Sequence, residues 1–221
     1  MRGIIYVIVA AVAMWWGLTG CVERLSNTEY HVECTIDKSL NVDSVALIVH
    51  EDSYDKLKLL SRVSVDSATG AFIFDGQIEK PCVAMLKFDN DSNAFMFVLE
   101  SGETLINIAA NGVVITGGEQ NHDYMSYLKH REAIMDERME LLKNYRQLAA
   151  PDSMINIDNE RHMVMQDSIL ADSLDRVIVS YINRADAVGR IVFDRYVNTL
   201  SPKNLSRINT AKELHLFFKF F

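Results

Sequence analysis

The chemistry open to this chain starts with its three thiols, since a cysteine can serve as nucleophile, redox group, metal ligand or acylation point according to its surroundings. Cys34 alternates with Val32 and Ile36, and Cys82 alternates with Ala84 and Leu86. Both therefore belong to period-two apolar patterns and are expected as buried free thiols in strands, with a disulfide between them left open. Thiol exchange needs an exposed thiolate and a resolving cysteine close by. The chain has no Cys-x-x-Cys pair. Cys21 stands apart, because it follows Leu18-Thr19-Gly20 at the end of an apolar run from Gly3 to Trp16.

The other reactive groups form no recognisable constellation. Glu119-Gln120-Asn121-His122 has the Glu-x-x-His spacing of di-iron bundles, but that chemistry needs a second copy and further carboxylates on facing helices. A single copy at a strand-to-helix turn reads as structural. His31, His50, His130, His162 and His215 are scattered without ligand spacing. Asp136, Glu137 and Glu140 lie among Arg131, Arg138 and Lys143, a mixture that suits i,i+4 ion pairs on a solvated helix face. Met135, Met139, Met163 and Met165 fall in helical faces and suit adaptable core packing. Gly-rich phosphate loops, Gly-x-Ser-x-Gly elbows and His-Glu-x-x-His helices are missing from the sequence. The expectation is therefore no catalytic residue, no metal and no cofactor. A formal net charge of -8 leaves no excess of basic residues for phosphate neutralisation, which argues against nucleic acid as a partner.

The elements that would position these residues divide the chain in two. Residues 30–118 carry short apolar runs separated by turn signals, the pattern of an antiparallel β-sandwich. The predicted strands are Tyr30 to Asp37, Val45 to Glu51, Leu57 to Asp66, Ala71 to Ile78, Val83 to Phe88, Ala94 to Leu99, Thr104 to Ala109 and Val113 to Thr116. Asp66 to Gly70 and Asp89 to Asn93 have the composition of hairpin turns. Phe72, Phe74 and Ile78 share a parity and are expected in the core. From residue 119 to 208 the period becomes helical, first on Tyr124, Leu128, Met135, Met139, Leu142 and Tyr145, with a break near Pro151. Further helices are expected from about Asn159 to Asn183, from Asp186 to Leu200, and from a Ser201 N-cap with Pro202 in the first turn. The fold class is thus α+β, with strands and helices segregated. Residues 209–221 form an apolar tail rich in phenylalanine, which either packs on the protein or belongs to a longer natural chain.

At the N-terminus, Met1-Arg2 is a short positive region, followed by the apolar run and then Cys21. The run is shorter than the roughly 20 residues of a spanning helix. Leu18-Thr19-Gly20-Cys21 resembles the lipobox of bacterial lipoproteins, which implies a signal peptide over 1–20, a lipid on Cys21 and a tether over 21–29. Several acyl chains on one residue would hold the protein at a bilayer. Three further motifs carry a second resemblance: Asp66 through Gly70 to Gly76, Phe97-Val98-Leu99-Glu100-Ser101-Gly102-Glu103, and Val114-Ile115-Thr116-Gly117 with Asn121 opening the helix. Together they resemble a domain of unknown function common in lipoproteins of the Bacteroidota, which usually precedes a thioredoxin-like domain of the TlpA or ResA type. The helical stretch, through Tyr181-Ile182-Asn183 and Leu200-Ser201-Pro202, is similar to the connector of such proteins. The thioredoxin-like domain itself is missing from this sequence.

Asp-Ser-(aliphatic) recurs at Asp43, Asp66, Asp152, Asp167 and Asp172, where composition alone gives roughly one occurrence. The tripeptide is similar to the O-glycosylation acceptor of exported Bacteroidota proteins, which makes Ser44, Ser67 and Ser153 candidate acceptors, while Asp and Ser also simply mark turns and helix starts. The sequence thus reads as a non-catalytic cell-envelope lipoprotein facing the periplasm, held to the membrane through Cys21, a module that either positions an envelope protein partner or binds a ligand the sequence does not name. The alternative is the N-terminal fragment of a lipid-anchored thiol-disulfide oxidoreductase.

Overall fold

The computed structural model describes residues 28–50, 56–90, 94–148 and 157–208. The leader and Cys21, most of the tether, the tip of the Asp89 to Asn93 turn, Glu51, Pro151, Ser153 and the tail lie outside these residues. Eight strands come first: β1 (Glu29–Ile36), β2 (Ser44–His50), β3 (Leu57–Ser64), β4 (Ala71–Gln77), β5 (Cys82–Phe88), β6 (Ala94–Leu99), β7 (Gly102–Ala109) and β8 (Gly112–Thr116). Four helices follow: α1 (Glu119–Leu148), α2 (Ile157–Ile182), α3 (Ala187–Tyr196) and α4 (Pro202–Leu205). The protein is α+β. No helix among the described residues is long and apolar enough to cross a membrane.

The strands form two four-stranded sheets, in the orders β4-β1-β7-β8 and β3-β2-β5-β6. In the first sheet one face is buried and the other exposed, as the alternation along β1 and β7 requires. Val32, Cys34, Phe74 and Ile106 point inward, whereas Glu33, Thr35, Ile73 and Leu105 face solvent. In the second sheet burial is nearly continuous along β2, β5 and β6. Both of its faces are covered. Leu47, Leu86 and Phe97 share the face that meets the first sheet, and Ala46, Val83 and Val98 lie on the opposite face, toward the helices. Helix α3 packs on β5 and β6 there, with Val188, Ile191 and Val192 fully buried.

Two expectations about the sandwich need correction. It is not wholly antiparallel, since β1 runs parallel to β7, from Tyr30 against Gly102 to Ile36 against Ile108. The Asp66 to Gly70 turn is also not a hairpin within one sheet, because β3 is an edge of the second sheet and β4 an edge of the first. The local turn forms as its chemistry demands: the Asp66 carboxylate accepts from the Ala68 N–H and the Thr69 hydroxyl. Gly70 then takes φ +77°, and its carbonyl accepts from the Ile36 N–H at 2.9 Å, which stitches the turn onto β1. A Cβ there would stand 2.3 Å from the Ile36 carbonyl oxygen. The Asp89 turn does join two neighbouring antiparallel strands, β5 and β6.

The helix stripes hold in part. Tyr124 is fully buried, but Met139 is 59% exposed, and Tyr127, outside the expected stripe, is fully buried. Arg138 does not pair along its own helix; its guanidinium donates two hydrogen bonds to Asp167 of α2, at 2.8 and 3.1 Å. Ser201 occupies the N-cap position of α4, yet its hydroxyl donates to Asp175 on α2 rather than capping.

Cys34 and Cys82 are not joined by a disulfide and lie in different sheets. Burial, reinforced by Glu33, pushes the Cys34 thiol up to about 12. Iodoacetamide at pH 8 is therefore expected to leave Cys34 unmodified in the folded protein and to alkylate it in urea, read by peptide mass spectrometry. Labelling of native Cys34 as fast as in urea would contradict its place in the core.

Candidate functional site

Two regions concentrate buried polar groups, and the first fixes the helices to the sandwich. Strand β6 is the edge of its sheet, so its outer backbone groups need partners. Asn121, fully buried in the first turn of α1, supplies them: its Oδ1 accepts from the Val98 N–H at 2.9 Å and its Nδ2 donates to the Val98 carbonyl at 2.8 Å. Glu100, 8% exposed and just past the end of β6, answers from the other side. Its carboxylate accepts from the backbone N–H groups of Glu119 and Asn121, both at 3.2 Å. These are orphan donors at a helix start, where a carboxylate is favoured by the helix dipole. Gly117 and Gly118 take φ +93° and +76° to deliver the helix to this point, and a Cβ on Gly118 would meet Glu100 Oε1 at 2.1 Å.

Behind this clasp the three long helices meet on aromatic rings. Tyr127 stacks with Tyr124 at 6.4 Å and contacts Tyr181 edge-on at 4.9 Å and Tyr196 at 6.0 Å. Arg131 lies 4.6 Å over the Tyr196 ring. Arg184 lies over Tyr181 and pairs with Asp123 and Asp186, at 2.6 and 2.8 Å. Burial, then the neighbouring Tyr196, pushes the Tyr127 phenol well above its ordinary range. The cluster joins α1, α2 and α3, with Tyr124 and Tyr127 fully buried and Arg184 and Asp123 reaching the surface.

The second region is a cavity of about 600 Å³ at one end of the sandwich, where β2 ends, β3 begins and β4 leads into β5. Lys56, Lys58 and Lys80 form its exposed rim with Glu79, and Val49, Leu60 and Ile78 supply apolar lining. Leu60 is aimed there by a bulge: β2 pairs Leu47 with Ser61 and Ile48 with Leu59, so Leu60 is the extra residue. His50 and Cys82 also line the cavity. They do not make a thiol–imidazole pair, because Cys82 shares the inward face with Ala84 and Val49 while His50, one residue on from Val49, takes the opposite face toward the helices. Both His50 ring nitrogens are buried and have no hydrogen-bond partner among the described residues. Desolvation lowers the His50 pKa; Asp194 opposes this and Arg190 adds to it.

Of the residues singled out in the sequence for their chemistry, only His50 and Cys82 line this cavity among the described residues, and the others lie elsewhere. Glu119 to His122 start α1, with Asn121 in the clasp and His122 exposed. Ser67 is exposed on the sheet-crossing turn, whereas Ser44 is half-buried at the start of β2, its hydroxyl accepting from Arg62 at 3.4 Å. Asp167 and Asp172, from two of the Asp-Ser tripeptides, serve helix packing: Asp172 accepts from Asn204, Arg176 and Lys203, which hold its carboxyl well below the usual range. The lysine rim was not singled out, since Lys80 lies on a different segment from Lys56 and Lys58.

Asn121→Ala would strand the Val98 N–H and carbonyl and is expected to cost about 2–4 kcal/mol, read from the urea midpoint at constant slope. A loss below about 1 kcal/mol would mean that the amide is dispensable. For His50, the folded state holds the proton less tightly than the unfolded state, whose reference value is 6.5. Its contribution to stability is therefore present above pH 6.5 and lost as pH falls through the folded-state value. His50→Gln is expected to flatten that acid-side slope in thermal melts; an unchanged slope would remove His50 as its source.

No curated protein matches the chain. Residues 30–124, from β1 through the turn of α1 that carries Asn121, are similar to a family described as a domain of unknown function (DUF4369), so the family match spans the sandwich and ends just after the clasp.

Proposed function

We propose that this chain is a non-catalytic, lipid-anchored protein of the cell envelope, facing the periplasm, whose sandwich and helical arm position an envelope protein partner. The clasp of Glu100 and Asn121 carries the reading, since buried hydrogen bonds set the direction of the arm relative to the sandwich. The anchor is argued from Leu18-Thr19-Gly20-Cys21. Along the arm, Met139 on α1 and Val164, Met165 and Ile169 on α2 are at least half exposed, an apolar surface of the kind that protein partners cover. The state of the thiols supports a role without redox turnover, with Cys34 buried and protonated and Cys82 in the other sheet.

A second reading is favoured by the family match together with the resemblance of the helical stretch to a connector. In that reading the chain is the N-terminal part of a lipid-anchored thiol-disulfide oxidoreductase from a bacterium of the Bacteroidota, and the exchange chemistry belongs to a thioredoxin-like domain outside it. Sequencing the reading frame downstream separates the two.

Capture of the protein from detergent-solubilised envelopes of its host, beside a Cys21→Ala control, tests the first reading. One reproducible protein partner that depends on Cys21 is expected, and intact mass should show acyl chains on Cys21. The same mass reads any glycan, for which exposed Ser67 is the most accessible described acceptor. An unacylated Cys21 would overturn the anchor, and equal capture by the control would remove the link between anchoring and partner.

A further inference from the structure

The outer face of the first sheet is open, and the helices meet that sheet chiefly at its β8 edge. Strand pairing sets its side chains in rows: Ile73, Glu33, Leu105 and Thr116 form one, and Ala71, Thr35, Asn107 and Val114 the next. Ile73, Leu105 and Val114 are 45, 49 and 58% exposed. Single exposed aliphatic residues are ordinary, but three within two adjacent rows make a surface. A depression of about 390 Å³ lies there, lined by Leu105 and Val114 with Glu33, Thr35, Asn107 and Thr116. That volume falls within the range of binding clefts.

Charge on this face has one sign. Strands β1, β4, β7 and β8 contain neither lysine nor arginine. Glu33 stands between Ile73 and Leu105, and Glu103 lies two residues before Leu105 on β7. Neither carboxylate has a hydrogen bond or ion pair among the described residues. Their strand positions are about 8 Å apart. Asp75, on the same face, is turned to His31 at 2.5 Å. Adjoining segments do not reverse the sign, since Glu79 with Lys80 after β4, Asp37 with Lys38 after β1, and Glu23 with Arg24 ahead of β1 each sum to zero. Asp66 before β4 and Glu119 after β8 add carboxylates.

These features select the occupant. A second copy packed through this face would set Glu33 and Glu103 against their own images, and like charges at that range repel. An anionic ligand would meet the same carboxylates. A small amine would satisfy Glu33 yet leave Ile73 and Val114 uncovered, because their strands stand three spacings, about 14 Å, apart. We propose that the outer face of the first sheet docks a basic amphipathic segment of another protein. Its lysine or arginine side chains pair with Glu33 and Glu103, and its aliphatic side chains cover Ile73, Leu105 and Val114. The methylene stems of those cations add apolar contact over Leu105. The inference shares with the proposed function only the class of partner, a protein, and does not need the lipid at Cys21.

The full chain in detergent is titrated into a labelled peptide alternating lysine with valine over about eight residues, and binding is read by fluorescence anisotropy. Glu33→Gln and Leu105→Lys are each expected to weaken binding about tenfold, as is about 0.5 M salt. Glu137→Gln, at an exposed carboxylate on α1, should leave binding unchanged. Equal losses from Glu33→Gln and Glu137→Gln would reduce the effect to general attraction by an acidic chain and overturn the site. Binding of a glutamate–valine peptide of the same length would overturn it too. A carbodiimide-formed amide between Glu33 and Lys212 or Lys219 of the same chain would assign the face to residues 209–221 and overturn the external partner. Capture from envelopes separates this site from the positioning role. A partner retained equally by Glu33→Gln and Leu105→Lys would overturn the docking face and leave that role standing. Peptide bound through Glu33, with no captured partner that depends on Cys21, would support the face and overturn the anchored role.

Discussion

An edge strand cannot leave its outer backbone groups buried and unpaired, and the way β6 meets this constraint organises the rest of the molecule. A ninth strand would have satisfied it. Instead a single side-chain amide imitates one residue of a strand, with Oδ1 and Nδ2 of Asn121 bonding both polar groups of Val98. The residue that does this stands in the first turn of a helix whose own N–H groups need an acceptor, and Glu100 beside the same strand provides it. Each element thus repairs the open end of the other. The two glycines before α1 follow from this arrangement, because any side chain at Gly118 would occupy the space of the Glu100 carboxylate.

Elsewhere in the chain, carboxylates repeat this bonding to backbone and neighbouring elements. Asp89 accepts from the N–H groups of Asp43 and Ser44, which ties the end of β5 to the start of β2. Asp175 accepts from both the N–H and the hydroxyl of Ser201 and from Asn204, which fastens the last short helix to α2. Each carboxylate is met by two or more donors, so its charge is spent locally. An acidic chain is expected to have solvated carboxylates, but several of these have structural partners instead.

Strand positions were legible in the sequence because period-two burial and turn chemistry are local. Every expected strand lies within two residues at each end of one that forms. Pairing was not legible, since nothing near Asp66 tells whether its turn joins two strands of one sheet or passes between sheets. The parallel contact of β1 with β7 is likewise settled by residues seventy positions away. On α1 the expected stripe was narrow, as if the helix met one neighbour, whereas α1 touches strands and two helices, and Tyr127 is therefore buried while Met139 is not. Glu100 and Asn121 did stand within the motifs that carried the family resemblance, but as turn and core chemistry. Their partnership is a fact of topology. The lysine rim had no such signal, since residues 56, 58 and 80 meet only once the sheets have formed.

The position of β1 has a consequence for how such a chain must be made. This strand is first in sequence yet internal in its sheet, with β4 on one side and β7 on the other. A polypeptide that emerges N-terminus first presents β1 with both hydrogen-bonding edges open until Gln77 arrives for one of them and Gly102 for the other. During that interval the earliest strand to emerge is also the one most ready to pair with a stranger. Shielding of β1 by a holding factor, or arrival of the later strands faster than collision with neighbours, becomes a requirement of biogenesis rather than of the finished fold.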